Sequence, residues 1–294
     1  MKRELIPAML LLVALATACF ADAASDAVAT GEAKYDKGDL DGAIADFTKA
    51  IALRPDDADA YHDRGAAKEA KGDLDGAIAD FTKAITLRPE YTEAYVSRGN
   101  AKHTKGDLDG ALADYTQAID LKPDYENAYV SRGIVKVAKG DLDGAVADYG
   151  KALALNPDYA LAYYFRGHAK RAKGDLDGSI ADFTKAIALK PDDENAYSSR
   201  GVVKKAKGDL DGALADYTKA ITLKPEDADA YGKRAVARYA KGDLDGSIAY
   251  FTKAIALKPN DAGAYNSRGV VKKAKGDLVG AEADFKRATE LGPK

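Results

Sequence analysis

Apolar positions in this chain return on a fixed beat. Ile44, Ile78, Leu112, Val146, Ile180, Leu214 and Ile248 stand 34 residues apart, and seven places after each comes another Ile or Leu. Two positions that far apart share one face of an α-helix. Between the apolar stripes lies polar punctuation: Gly-Asp-Leu begins at 38, 72, 106, 140, 174, 208, 242 and 276, without an insertion or deletion. Such a period marks stacked supersecondary units, each burying its apolar face against a neighbour. Most of the chain is therefore a solenoid.

Within one block, counted from Ala58 as position 1, Tyr61 is position 4, Gly65 position 8, Gly72 position 15, Ala77 position 20, Phe81 position 24, Ala84 position 27 and Pro89 position 32. Gly72 suits the left-handed residue that ends a first helix, and Asp73 caps the second. Asp75 favours the dipole in the first turn of that second helix, and Pro89 stops it. The small residues Gly65, Ala77 and Ala84 let helices approach, while Tyr61 and Phe81 fill the gaps.

These residue types at these spacings resemble the tetratricopeptide repeat. The resemblance covers eight consecutive units: 24–57, 58–91, 92–125, 126–159, 160–193, 194–227, 228–261 and 262–294. It implies an all-α fold, an α-solenoid of antiparallel helix pairs wound into a right-handed superhelix, with the first helices lining a concave inner surface.

The family usually has large apolar residues at positions 7 and 11, and here the chain departs from it. Arg64 and Lys68 stand there, with Asp80 at position 23, and the trio returns as Arg98, Lys102 and Asp114, then as Arg132, Lys136 and Asp148. Matched numbers of bases and acids favour a packed ion pair between the helices of each repeat over a basic ladder for phosphates. In repeat seven Tyr250 replaces the acid, so Arg234 is expected to lack that partner. Position 21 becomes Glu282 and position 28 becomes Thr289 in the last repeat. Repeat eight is thus expected to cap itself, with Lys294 as the terminus, and the first helix, with Ala27 at position 4, to be the least stable.

Ahead of the repeats, basic Met1-Lys2-Arg3 and apolar Leu5 to Ala18 read as a signal peptide over residues 1–23, too short for a durable membrane span. Either the chain is cut after Ala23, or it is cut before Cys19 and lipidated. Leu15 stands one place too far from Cys19 for the commonest lipobox, which favours soluble export, periplasmic or extracellular if the source is bacterial. Cys19 is the one cysteine, so the repeats hold no disulfide and no thiol nucleophile. A net charge of −3 lacks the basic excess of a nucleic-acid binder.

Side chains differ most between repeats at positions 2, 5, 9 and 12, one stripe of the first helix, which the resemblance makes the ligand-facing surface. Val96, Val130, Ile134, Val137, Tyr164 and Phe165 form an apolar patch there, with Asn100, His168, Arg171 and Tyr239 alongside. Lys205 and Lys273 make the later part more basic and suited to an acidic segment. The other reading of the valines is simple packing against neighbouring helices. A carboxylate clamp, which one subset of the family builds from Lys and Asn at positions 5 and 9, is not expected, because Asn100 has Val96 beside it.

Three histidines, His62, His103 and His168, fall in different repeats, and no metal-ligand spacing or phosphate-binding glycine loop occurs. Nor does any nucleophile have a base beside it in sequence. The expectation is an exported, non-catalytic, monomeric adaptor without cofactor or nucleic acid, binding a protein or extended peptide, its membrane link limited to lipidation at Cys19. The alternatives are a structural spacer or self-assembling rod and, against the charge and the leader, an RNA-reading repeat array.

Overall fold

The computed structural model describes residues 22–292. The leader read in residues 1–21, Cys19 included, lies outside the described residues. Two compact units divide the chain, Met1–Asp141 and Leu142–Lys294. The first holds α1 (22–36), α2 (Leu40–Leu53), α3 (Ala58–Lys71), α4 (Leu74–Leu87), α5 (Thr92–Thr104), α6 (Leu108–Leu121) and α7 (Glu126–Ala138). The second holds α8 (Leu142–Leu155), α9 (Ala160–Ala172), α10 (Leu176–Leu189), α11 (Glu194–Ala206), α12 (Leu210–Leu223), α13 (Ala228–Ala240), α14 (Leu244–Leu257), α15 (Ala262–Lys275) and α16 (Leu278–Leu291). Among the described residues there is no strand, and no helix is long and apolar enough to cross a membrane. Within each unit successive helices pack on one another, so each unit is a stack of antiparallel helix pairs.

Local chemistry sets the boundaries. Gly72 ends α3 at φ +88° and seven more glycines of the Gly-Asp-Leu strings share that left-handed conformation, which costs other residues about 1–2 kcal/mol. The turn closes when Gly72 N–H donates to the Glu69 carbonyl and Asp73 N–H to that of Lys68, each at 2.9 Å. Asp73 then accepts from Gly76 N–H at 2.9 Å and starts α4.

The core is thin and repeated. Ala77, Phe81 and Ala84 are fully buried. A Cβ on Gly65 would meet the Phe81 ring at 2.7 Å, so the missing side chain is what lets α3 lie on that ring. Each buried Phe or Tyr at position 24 contributes about 1.5–3 kcal/mol of apolar burial.

Beside the core run the ion pairs expected from sequence. Asp80, 4% exposed, accepts from Arg64 Nε and Nη2 at 2.8 and 2.7 Å, and Lys68 Nζ lies 2.7 Å from it. Arg98–Asp114, Arg166–Asp182, Arg200–Asp216 and Arg268–Asp284 repeat the fork. Lys102, Lys170, Lys204 and Lys272 complete it. In Arg64, Arg98, Arg200 and Arg268 the third nitrogen reaches back to a threonine of the preceding repeat, Arg64 to Thr48 at 3.2 Å and Arg200 to Thr184 at 3.1 Å, whereas Arg166 has Gly150 there. Burial alone would raise the Asp284 carboxyl, but hydrogen bonds from Arg268 and Lys272 hold it below the usual carboxylate range. In repeat seven the Tyr250 ring takes the acid's place beneath Arg234, and Arg238 turns to Asp243.

A second ladder joins repeats on the outside. Lys71 meets Asp41 at 2.5 Å and Lys139 meets Asp109 at 2.6 Å; Lys105–Asp75, Lys173–Asp143, Lys207–Asp177, Lys241–Asp211 and Lys275–Asp245 follow the same rule. In repeat eight the corresponding acid is Val279, 82% exposed next to Leu278 at 63%. Glu282 and Thr289 are exposed as well.

Candidate functional site

The variable stripe of the first helices divides into two kinds of position. Position 5 is covered by position 6 of the next repeat: His62 Nε2 lies 3.1 Å from the Ser97 hydroxyl, and Lys233 donates to the Ser198 hydroxyl at 2.9 Å. Hence Val96 is 9% exposed and belongs to the cluster around Tyr115, Ile119 and Val135; Val130 is 3% exposed. The structure places these two valines in the interior, as the packing reading of the sequence had it. Positions 9 and 12 are half-buried to exposed instead.

In the first unit Ile134 is half-buried and Val137 is 38% exposed. Asn100, also on the surface, accepts a hydrogen bond from the Tyr115 hydroxyl at 2.7 Å, so its amide oxygen is already engaged. Another opening of about 310 Å³ is lined by Glu32, Asp36 and Asp63 with Tyr35 and Phe47, an acidic surrounding.

In the second unit Tyr164 sets its ring edge-on to His168 at 4.6 Å and to Phe183 at 5.8 Å. Phe165 lies beside Tyr164 and stacks on Tyr149 at 6.1 Å. Burial, aided by the Arg171 charge, lowers the His168 imidazole to about 4, so it is neutral at pH 7 and Ser199 lies 3.2 Å from its Nε2. Tyr164, Phe165 and His168 are therefore half-buried members of one aromatic cluster, while Arg171 and Lys273 are exposed and Lys205 half-exposed. The exposed apolar residues of this unit lie further on: Val236 at 37%, Tyr239 at 39% and Val270 at 44%. Tyr239 was singled out from sequence. Val236 and Val270 were not, because a valine at position 9 reads the same as the buried valines at position 5 until the next helix is in place.

One constellation escaped the sequence altogether. Ser97, His62 and Asp63 form a chain, with Asp63 Oδ1 3.3 Å from His62 Nδ1, the residue types of a nucleophile, base and orienting acid. Ser97 stands inside α5, where backbone N–H groups are spent on the helix, so no pair of amides beside it can hold an oxyanion. Its parts come from adjacent repeats, which no sequence spacing signals. Among the described residues no group of three or more His, Cys, Asp or Glu is placed to hold a metal.

The profile of the TPR repeat matches residues 31–72, 70–106, 99–138, 133–170 and 167–208, and that of the tetratricopeptide repeat matches 200–262. The chain belongs to the tetratricopeptide repeat family. Among solved structures, the MamA protein is 30% identical with a TM-score of 0.54, the match covering 60% of this chain and 96% of MamA. YrrB, described as a TPR protein with an unusual peptide-binding site, is 26% identical with a TM-score of 0.54, covering 63% of this chain and 95% of YrrB. A tetratricopeptide repeat protein from Parabacteroides merdae is 21% identical with a TM-score of 0.63, covering 85% of this chain and 99% of its own, and speaks for the fold alone. No curated protein matches the chain.

Proposed function

We propose that this tetratricopeptide repeat protein is a non-catalytic scaffold that holds a protein or extended peptide against positions 9 and 12 of its first helices. The observation that carries this reading is the exposure of apolar side chains on that stripe, Val137 in the first unit and Val236, Tyr239 and Val270 in the second. Positions 9 and 12 vary along the eight repeats, although repeats six to eight share a valine at position 9. Membership in a family of interaction scaffolds supports the reading, and YrrB offers a relative described as peptide-binding. The chain acts outside the cytoplasm, on the strength of its basic and apolar leader.

A photo-crosslinking residue at Val137, Val236 or Val270, compared with one at exposed Lys219 on α12, tests the site in the native cell fraction. Adducts from the stripe and none from Lys219 are expected. Equal labelling, or none, would move the spacer reading ahead. Mass spectrometry of the mature N-terminus tests export: a start at Ala24 or an acylated Cys19 is expected, and an intact Met1 would refute it.

A further inference from the structure

Most glycines in the second unit have identifiable duties; the helix-interior Gly150 and Gly232 do not, and a Cβ on Gly150 would meet only the tip of Arg166 at 3.9 Å. Gly167, Gly201 and Gly269 leave room for aromatic rings that a Cβ would meet at 3.0, 2.8 and 2.7 Å, and Gly208 and Gly242 hold positive φ. Gly232 lies in the interior of α13 with ordinary helical φ, and a Cβ there would meet nothing within 4 Å. Helix-interior glycine is costly relative to alanine, and no contact of Gly232 offsets that cost. It occupies position 5, where other repeats carry His62, Val96, Val130, Tyr164 or Ser198.

The missing side chain, with Gly263 opposite it on α15, leaves an opening of about 360 Å³ whose floor is Phe251 and whose edge carries Lys205 and Lys233. A second hollow of about 160 Å³ continues from it through Val236 and Phe251 to Tyr239 and Val270. The apolar floor and the exposed apolar stripe are thus one surface.

The lysines of the first helices around this surface fall into two groups. Lysines at positions 11 and 14 are spent on carboxylates, Lys204 on Asp216, Lys272 on Asp284, Lys241 on Asp211 and Lys275 on Asp245. Among the described residues Lys205, Lys233 and Lys273 make no such pair, and Lys233 has only the Ser198 hydroxyl. Two carboxylates line the opening at the helix starts, Asp229 and Asp261, and Asp261 caps α15 through Ala264 N–H at 3.0 Å.

We propose that this opening anchors an extended acidic peptide: one bulky apolar side chain enters between Gly232 and Gly263 onto Phe251, and neighbouring carboxylates meet Lys205, Lys233 and Lys273. The proposal rests on the peptide-binding reading above and gives it a place and a chemistry. Unpaired lysines favour carboxylates most at low ionic strength, while the apolar side chain supplies the part of binding that salt does not screen.

A random peptide library panned on the full-length chain, followed by fluorescence anisotropy with the enriched peptides, tests it. Enrichment of sequences with an aromatic or Leu residue flanked by Asp and Glu is expected. Gly232→Phe, which fills the opening without crowding the helix, and the double variant Lys205→Glu, Lys273→Glu are each expected to weaken those peptides about tenfold or more, with circular dichroism unchanged. Replacing the anchor residue of the peptide by Ser is expected to do the same to the wild-type chain. Peptides without acidic character, or acidic ones indifferent to Gly232→Phe and to the charge reversal, would overturn this inference and leave the scaffold reading standing. No enrichment at all would overturn both.

Discussion

The guanidinium carbon of Arg234 lies 4.3 Å from the centre of the Tyr250 ring, in the slot where Arg64, Arg98, Arg166, Arg200 and Arg268 each grip an aspartate. A cation over an aromatic face is attracted by the ring quadrupole by about 0.5–2 kcal/mol, without the full desolvation of a carboxylate. Repeat seven therefore keeps the arginine and changes what neutralises it. Tyr250→Asp is expected to unfold within a few degrees of wild type, because Arg234 regains the fork of the other repeats. Tyr250→Ala removes ring and charge partner together and is expected to melt clearly lower. Calorimetry that ranked Tyr250→Asp as the more damaging change would refute this account of the slot.

The two ladders of ion pairs differ in burial and so in worth. Asp216 is 4% exposed and holds both Arg200 and Lys204; Asp216→Ala leaves two cations in a half-buried site and is expected to cost about 3–5 kcal/mol. Lys207→Ala breaks an exposed pair with Asp177 and is expected to cost at most about 0.5–1 kcal/mol, less in high salt. Urea denaturation of both variants at two ionic strengths checks the contrast.

Acid should weaken the second unit through His168. Its folded pKa of about 4 lies below the ordinary 6.5, so between those values the unfolded chain binds the proton more readily than the folded one. The stability this group contributes is complete above pH 6.5 and declines as pH falls toward 4. Tyr164, Phe183, Ser199 and the Arg171 charge are the groups that meet the ring, and none of the four is an acid that would hold the proton. His168→Gln is expected to flatten the stability profile over this window. An unchanged slope would place the titration elsewhere.

Nearest-neighbour packing makes the stack divisible. Deleting 262–294 while changing Ile248 to Glu and Ile255 to Thr, the residues repeat eight itself carries at those positions, is expected to leave a shorter folded helical protein. Loss of helicity across the remaining repeats on deletion would show that cooperativity extends beyond neighbours.

What could be read from sequence was whatever recurs within one repeat. Gly72, Asp73 and Pro89 mark helix ends by backbone chemistry that needs no tertiary context, and Arg64 and Asp80 stand 16 residues apart, both inside one helix pair. Relationships between repeats were harder. Lys71–Asp41 spans 30 residues and looks, in sequence, like two ordinary solvated charges. Val96 and Val236 are the same residue type, yet one is covered by the following helix and the other is not. Only the packing of successive first helices separates them, and with them the buried part of the candidate stripe from its open part. The Gly232 opening was invisible for the related reason that a glycine's function here is the space above it.

The outer Lys–Asp ladder has a consequence for how such a chain changes length. Every repeat from the second to the eighth presents the same cation backward, and every repeat from the first to the seventh the same anion forward. Because the couplings are interchangeable, a gene duplication or loss of one whole repeat inside that series would rejoin matching ends, and unequal recombination could lengthen or shorten the array without any new contact having to arise. Val279 lies outside that exchange: a copy of repeat eight inserted upstream would bring a valine where the next lysine needs a carboxylate.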